Sequence, residues 1–509
     1  MALKRNLIAN YLGQGWAALM GLAFVPLYIK YLGIEAYGLI GLFAVLQAWL
    51  SLLDMGMTPT LGREMARFTA GTHSNESIRD LLRSIEIIAV VVAVLIAGGV
   101  ALGSDWIATS WLKAEALPSE MVAQVFTIMG LVTALRFVEG VYRSAIVGLQ
   151  RHVLFNVVNS VMATLRGLGA LGILVWVSPT IGAFFLWQGG VSLVTLALLF
   201  ATTYASIPEG ERKGRFSLDA LRCVWRFAGG MVGITILALL LTQVDKILLS
   251  KLLTLREFGH YTLAGAVAGA LSMLIGPIFQ AFYPRFCELQ AHGDTLALAD
   301  SYHKGAQLVS VIAGSAAIVL IYYAETFLLL WTQDAELSEN VAVLLSLLIF
   351  GNLLNGLLGI PYQMQLAHGW LRLAIYVNSV AVLFIIPAIL WVVPRYGALG
   401  AAWIWVALNA GYGLIAAQFL YRRIMKAEKW RWYKEDVLTP LLVATFAVGI
   451  VKILWPAPET LSAQVLVLAF ASSLALGLSG LAANRVRQEV RSIVGSVLDK
   501  FNRKLMFFK

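Results

Sequence analysis

The run IIAVVVAVLIAGGVAL at 87–102 decides the fold of this chain. It carries no charged or amide side chain, and its apolar residues follow one another without alternation. A strand of a membrane barrel would alternate apolar and polar positions. In hydrocarbon each peptide N–H and C=O must be paired inside its own segment, so a continuous apolar run is a helix. The run at 461–483 reads the same way, and similar runs recur from end to end. They make the 509-residue chain 60% hydrophobic and only 13% charged, with a mean hydropathy of +0.80. Soluble domains carry about twice that charged share. The longest polar intervals, 62–83, 206–226 and 422–436, are loop-sized. The composition therefore describes an all-α polytopic membrane protein.

A helix needs about 20 residues to cross the hydrocarbon core. The apolar runs place about fourteen transmembrane helices on that measure. They lie at 7–30, 37–61, 84–104, 121–148, 153–177, 181–204, 224–250, 257–284, 305–331, 339–366, 371–393, 397–421, 437–454 and 461–483. Basic residues gather on alternate loops: Lys4 and Arg5, then Arg63, Arg67, Arg79 and Arg83, then 212–226, 422–434 and 485–509. The remaining loops are sparse in them, and 334–340 is acidic. Cytoplasmic loops are rich in Lys and Arg, so both termini are expected in the cytoplasm. One outward loop, with Lys246, Lys251 and Arg256, runs against the rule. The net charge of +10 goes with topology and anionic headgroups, not with nucleic acid. In the tail Val490, Ile493, Val494, Val497, Leu498 and Phe501 are interleaved with basic residues, which predicts an amphipathic helix on anionic lipids.

The chain repeats itself. Lys30, Leu32, Tyr37, Gly38 and Leu42 match Lys251, Leu253, Phe258, Gly259 and Leu263 at a common offset of about 221. Pro59 answers to Pro277; Trp176 and Pro179 answer to Trp391 and Pro394. Gly182, Ala183 and Trp187 match Gly400, Ala401 and Trp405. Six spans per repeat is an even number, so both repeats share one orientation, related by an axis along the membrane normal. The expected organisation is a six-helix lobe at 1–205, a cytoplasmic linker at 206–223 and a second six-helix lobe at 224–428. Two additional helices at 429–483 and the basic tail at 484–509 complete it. Two like bundles around a cavity suit alternating access.

Charged groups inside hydrocarbon cost a few kcal/mol each, so those within spans are the candidate site. Arg136, Glu139 and Arg143 share a face of the fourth span, with Glu139 and Arg143 at the pairing distance i,i+4. Asn156, Asn159 and Arg166 form a stripe on the fifth. Gln47, Asp54 and Thr58 share a face of the second, where Pro59 is expected to loosen the helix. The seventh carries Gln243, Asp245 and Lys246, and the tenth carries Asn352 and Asn355. One explanation is a water-filled cavity in which Arg136, Arg143 and Arg166 attract an anion, since guanidinium forks fit phosphates. Asn156, Asn159, Asn352 and Asn355 would then be further substrate contacts. The other is hydrogen-bonded glue between helices and snorkelling toward the interface. Asp54, Glu139 and Asp245 are candidates to bind a coupling proton or sodium ion, or else are neutralised by fixed partners. Pro26, Pro59, Pro277 and Pro361 are candidate hinges. Cys223, Cys287 and the six histidines have no metal or disulfide spacing, and no Gly-rich phosphate loop is present. No metal, cofactor or ATP-driven step is expected.

The segments NLIANY (6–11) and YLGIEAYG (31–38) resemble bacterial polysaccharide flippases of the Wzx type. So do LDMGM (53–57) with REMA (63–66), QVDKILLS (243–250) with FGHYTLA (258–264), and GPIFQAFYPR (276–285). GLQR (148–151) and YGALGAA (396–402) are similar too. The resemblance implies the multidrug/oligosaccharidyl-lipid/polysaccharide exporter fold, with two six-helix lobes and two extra helices. It also implies a substrate, an oligosaccharide on a polyprenyl pyrophosphate, moved across the bacterial inner membrane for O-antigen, lipopolysaccharide or exopolysaccharide synthesis, with a polysaccharide polymerase as a partner. Lipid II flippases of that superfamily place arginines in the first span, which here has no basic residue before Lys30. Multidrug exporters often carry an acid there; here the main polar side chain of its first half is Gln14. An ion-coupled multidrug or small-molecule antiporter is the alternative on the same fold. A membrane polymerase or ligase would expose a substantial outer loop, and the longest here, 103–120, is of connecting size. The chain is therefore expected not to be an enzyme.

Overall fold

The computed structural model describes residues 2–69, 71–209, 212, 214–455 and 460–492. Its backbone separates into two compact units, Met1–Thr262 and Leu263–Lys509. The first unit opens with α1 (Ala2–Ala23), α2 (Val25–Leu32), α3 (Ile34–Leu50) and α4 (Met57–Thr69). It continues with α5 (Asn75–Trp106), α6 (Ser119–Gly148), α7 (His152–Trp176), α8 (Ile181–Ser206), α9 (Leu218–Leu252) and the start of α10 (Leu255–His292). The second unit takes the rest of α10, then α11 (Thr295–Tyr322), α12 (Ala324–Thr332), α13 (Ala335–Leu357), α14 (Gly359–Ala367) and α15 (Leu371–Gly411). It closes with α16 (Ala417–Arg423), α17 (Lys429–Arg431), α18 (Thr439–Leu454) and α19 (Leu461–Ala482). No strand occurs among the described residues.

Twelve helices among the described residues are long and apolar enough to cross a membrane, against about fourteen expected. The difference has two sources. The expected spans at 371–393 and 397–421 form one stretch, Arg372–Arg423, bent at Gly397, where φ is 57° and ψ −146°. The expected seventh span lies on the 35-residue α9, which is not among the twelve. Of the expected tail helix, 484–492 is helical, and 493–509 lies outside the described residues.

The expected second span is broken. After α3 comes a tight turn at Ser51–Asp54, then Met55 and Gly56 with φ of 46° and 75°, before α4 restarts. Pro59 explains the restart. Its missing N–H and its ring cost least in a first helical turn, and it occupies the first turn of α4. The Asp54 carboxylate caps the new helix, accepting the Thr58 N–H at 3.0 and 3.1 Å and the Thr58 hydroxyl. Pro26 and Pro361 likewise lie in first turns, of α2 and α14, whereas Pro277 lies inside continuous α10. Losing such a cap removes about 1 kcal/mol. Asp54→Ala is therefore expected to lower the melting temperature measurably, and Asp54→Asn, which can still cap, to leave it near wild type.

The stretch expected to link the two lobes lies inside the first unit and is strapped to α5. Arg79 donates to the carbonyls of Ile207 and Pro208 at 3.1 Å each. Asp80 accepts both Arg212 amino groups at 2.9 and 2.6 Å and the Arg215 N–H at 2.7 Å. The Ser84 hydroxyl accepts the Ser217 N–H at 2.8 Å. Ile207, Pro208, Arg212, Arg215 and Ser217 are therefore held along the start of α5.

The repeat noticed in the sequence is a contact in space. The offset that carries Gly38 to Gly259 also carries Ile34 to Leu255. A Cβ on Gly38 would sit 2.6 Å from the Leu255 carbonyl oxygen, and one on Gly259 would sit 2.3 Å from the Ile34 carbonyl oxygen. Each glycine thus faces the backbone of the other's counterpart, a crossing of α3 and α10 that is two-fold in its contacts. Only a hydrogen at both positions lets the backbones approach this closely.

In the second unit α18 and α19 pack on α11 through Val319, Tyr323, Ala444, Val448, Ala471 and Ala475. A polar staple joins the same elements at one end. His303 is fully buried with one ring nitrogen on Asp436 and the other 2.9 Å from Glu428. Gln307 donates to Asp436 at 2.9 Å and accepts the Arg485 N–H at 2.9 Å. Removing one partner of a buried charged network is destabilising by about 3–5 kcal/mol. Asp436→Ala should therefore lower the melting temperature more than Asp54→Ala does; equal melting of the two variants would show that the staple holds little.

Candidate functional site

Three helices of the first unit meet at Arg136, which α6 carries near its middle. Its guanidinium donates to Gln47 on α3 at 3.2 Å and, on α8, to Gln188 at 3.2 Å and Ser192 at 3.3 Å. The Phe43 ring centre lies 5.1 Å from it. Its hydrogen-bond partners are neutral, so the cation is held by dipoles and a π-face, which stabilise it without cancelling its charge. One turn along α6, Glu139 meets Arg166 of α7 at 3.3 Å, and the same Arg166 nitrogen lies 3.4 Å from the Thr195 hydroxyl. These two side chains are 22% and 14% exposed, so the pair is lodged inside the unit and still reachable. The Arg166 Nε and the Gln47 amide nitrogen are buried with no partner among the described residues. The cluster thus holds two guanidiniums but one carboxylate, which pairs with Arg166 alone, and donors are left over. An anion that accepts several hydrogen bonds fits that deficit.

The other candidates from the sequence fall elsewhere. Arg143 is exposed, 5.8 Å from the Phe155 ring centre, and Glu139 pairs with Arg166 across helices instead of with Arg143 along its own. Asn156 donates to Asn10 at 2.6 Å and to the His152 carbonyl at 2.8 Å, fastening α7 to α1. Asn159 is half-buried and hydrogen-bonds to no other described residue. Asp54 is the cap already described. Asp245 accepts from Tyr261 at 3.3 Å, and its other carboxylate oxygen is buried without a partner among the described residues; Lys246 donates to Gln243 at 3.2 Å. In the second unit Asn352 accepts from Trp405 and Asn355 donates to Asn409, each at 2.8 Å.

Gln188, Ser192 and Thr195, which hold the two arginines, were not singled out from the sequence. The signal was available. They lie at i, i+4 and i+7 of an otherwise apolar helix, one polar face of α8.

The fold has known counterparts. Residues 3–290 match the family described as "Polysaccharide biosynthesis protein". A curated relative from Shigella flexneri named "Putative O-antigen transporter" is 19% identical over 83% of this chain and 99% of its own length. Among solved structures, "Lipid II flippase MurJ, inward closed conformation" superposes with a TM-score of 0.70 at 11% identity, covering 92% of this chain and 97% of the other. An inward-facing multidrug resistance MATE family transporter of the MOP superfamily gives 0.60 at 15% identity, covering 82% and 96%. The superpositions show a shared fold, which is the exporter fold expected from the sequence. With its family model spanning more than half of the chain, this multi-pass membrane protein belongs to the polysaccharide biosynthesis protein family.

Proposed function

We propose that the chain is a flippase that moves a polyprenyl-pyrophosphate-linked oligosaccharide from the cytoplasmic to the outer leaflet of a bacterial inner membrane by alternating access. Arg136 and Arg166 bind the pyrophosphate, and the single observation that supports this is that Glu139 pairs with Arg166 and leaves Arg136 on neutral partners inside the first unit. A structural ion pair would balance its charges; this cluster keeps a cation in excess and donors unused. Glu139 holds Arg166 in place and, with Asp245, is a candidate carrier of the coupling proton or sodium ion. Both termini face the cytoplasm, where basic loops lie against anionic lipids, and the chain supplies a polysaccharide polymerase without being an enzyme itself.

The test is reconstitution. Vesicles containing the purified protein should expose lipid-linked oligosaccharide added to the inner leaflet, and cells lacking the protein should accumulate that lipid internally. Cells without the protein that still display their surface polysaccharide and accumulate nothing would overturn the proposal. Sensitivity to cationic dyes in such cells, with normal polysaccharide, would support the antiporter instead.

A further inference from the structure

A pocket of about 1100 Å³, its open mouth included, lies within the second unit where α13 gives way to α14. Four carboxamides line it, from Asn355 at the end of α13, Gln363 and Gln365 on α14, and Asn378 on α15, together with the rings of Tyr362 and Tyr412. No acidic or basic side chain is in the lining. Asn355 and Gln365 commit their amide nitrogens, to Asn409 at 2.8 Å and to the Trp370 carbonyl at 2.9 Å, which fixes their carbonyl oxygens toward remaining acceptor duty. Gln363 and Asn378 are half-buried and hydrogen-bond to no other described residue.

An amide presents a donor and an acceptor side by side. Vicinal hydroxyls and acetamido groups offer the same pair in return, and the C–H face of a pyranose covers an aromatic ring. An anion would find no cation in this lining, and a polyprenyl chain would leave the amides without partners, which is unfavourable in a dry pocket. Mostly apolar walls with a few converging polar groups are the general form of a small-molecule site.

We propose that this pocket binds the uncharged sugars of the transported unit, separately from the arginines that take its pyrophosphate. The proposal rests on the flippase function above and names which part of the substrate each unit serves. The probes are the free oligosaccharide, released from the lipid by mild acid, and inorganic pyrophosphate, each titrated into the purified full-length protein. Wild type should bind both. Gln363→Leu combined with Asn378→Leu should weaken the oligosaccharide at least tenfold and leave pyrophosphate unchanged. Val377→Trp, which fills the pocket from an apolar lining position, should do the same and serves if the double variant fails to fold. Unchanged oligosaccharide affinity in Val377→Trp or in the folded double variant overturns the sugar site. Loss of affinity for polyprenyl phosphate in its place would make the pocket a lipid site, and also overturns it. The outcomes separate from those of the flippase test: wild type that binds free oligosaccharide but flips no lipid-linked unit fails only the transport proposal.

Discussion

Arg136→Ala is expected to reduce flipping by about 10- to 100-fold at normal membrane abundance. Hydrogen bonds from a charged group contribute about 1.5–3 kcal/mol each, and each 1.4 kcal/mol is about tenfold, so losing one anion contact gives this range. Arg136→Lys should fall between, because a lysine keeps the charge but not the planar fork. The substitution also strands its partners: the Gln47 and Gln188 oxygens and the Ser192 hydroxyl each lose a donor. Some loss of stability is therefore expected, and it has to be separated from loss of function. Arg166 supplies the control. Arg166→Ala leaves Glu139 unpaired, and adding Glu139→Gln should restore the melting temperature without restoring transport. Full export by both Arg136→Ala and Arg166→Ala would overturn the anion-binding role; rescue of transport by Glu139→Gln would make Arg166 a structural residue.

Gly259→Leu and Gly38→Leu should each abolish transport, and to similar extents. The obstacle to a side chain at either position is a backbone carbonyl, 2.3 Å away for Gly259 and 2.6 Å for Gly38. A flexible side chain could swing aside; a helix backbone cannot without moving the helix. Overpacking of this kind typically costs about 1–3 kcal/mol, enough to unseat the crossing. The matched effect is the discriminating part, since the two contacts are copies of each other. Transport by purified variants in vesicles, with melting as the control, measures it. If one leucine variant is tolerated and the other is not, the crossing is not two-fold in function.

How much of this was legible in the sequence depended on whether a feature is local. The run at 87–102 could only be a helix in hydrocarbon, and it is part of α5. Turn glycines and basic loops bounded most spans to within a few residues, because apolar length is a local property. The break after Asp54 was placed too late, at Pro59, because a proline acts on the helix preceding it. Partner choice was not legible at all. Spacing offered Glu139 to Arg143, and only the packing of α6 against α7 gives it to Arg166. His303 gave no signal, since its two carboxylates lie more than a hundred residues away in sequence.

The strap along α5 determines where this chain can be opened for engineering. Junctions between repeats are the ordinary choice for inserting a reporter or a cleavage site, because exposed loop tips tolerate change. Here Ile207, Pro208, Arg212, Arg215 and Ser217 are tied down by Arg79, Asp80 and Ser84, and an insertion among them would pull on α5. The turn at His292, Gly293 and Asp294 is exposed on all three residues, and its glycine takes a positive φ of 71°. A fluorescent label or protease site belongs at that turn, between α10 and α11, and not at the seam between the repeats.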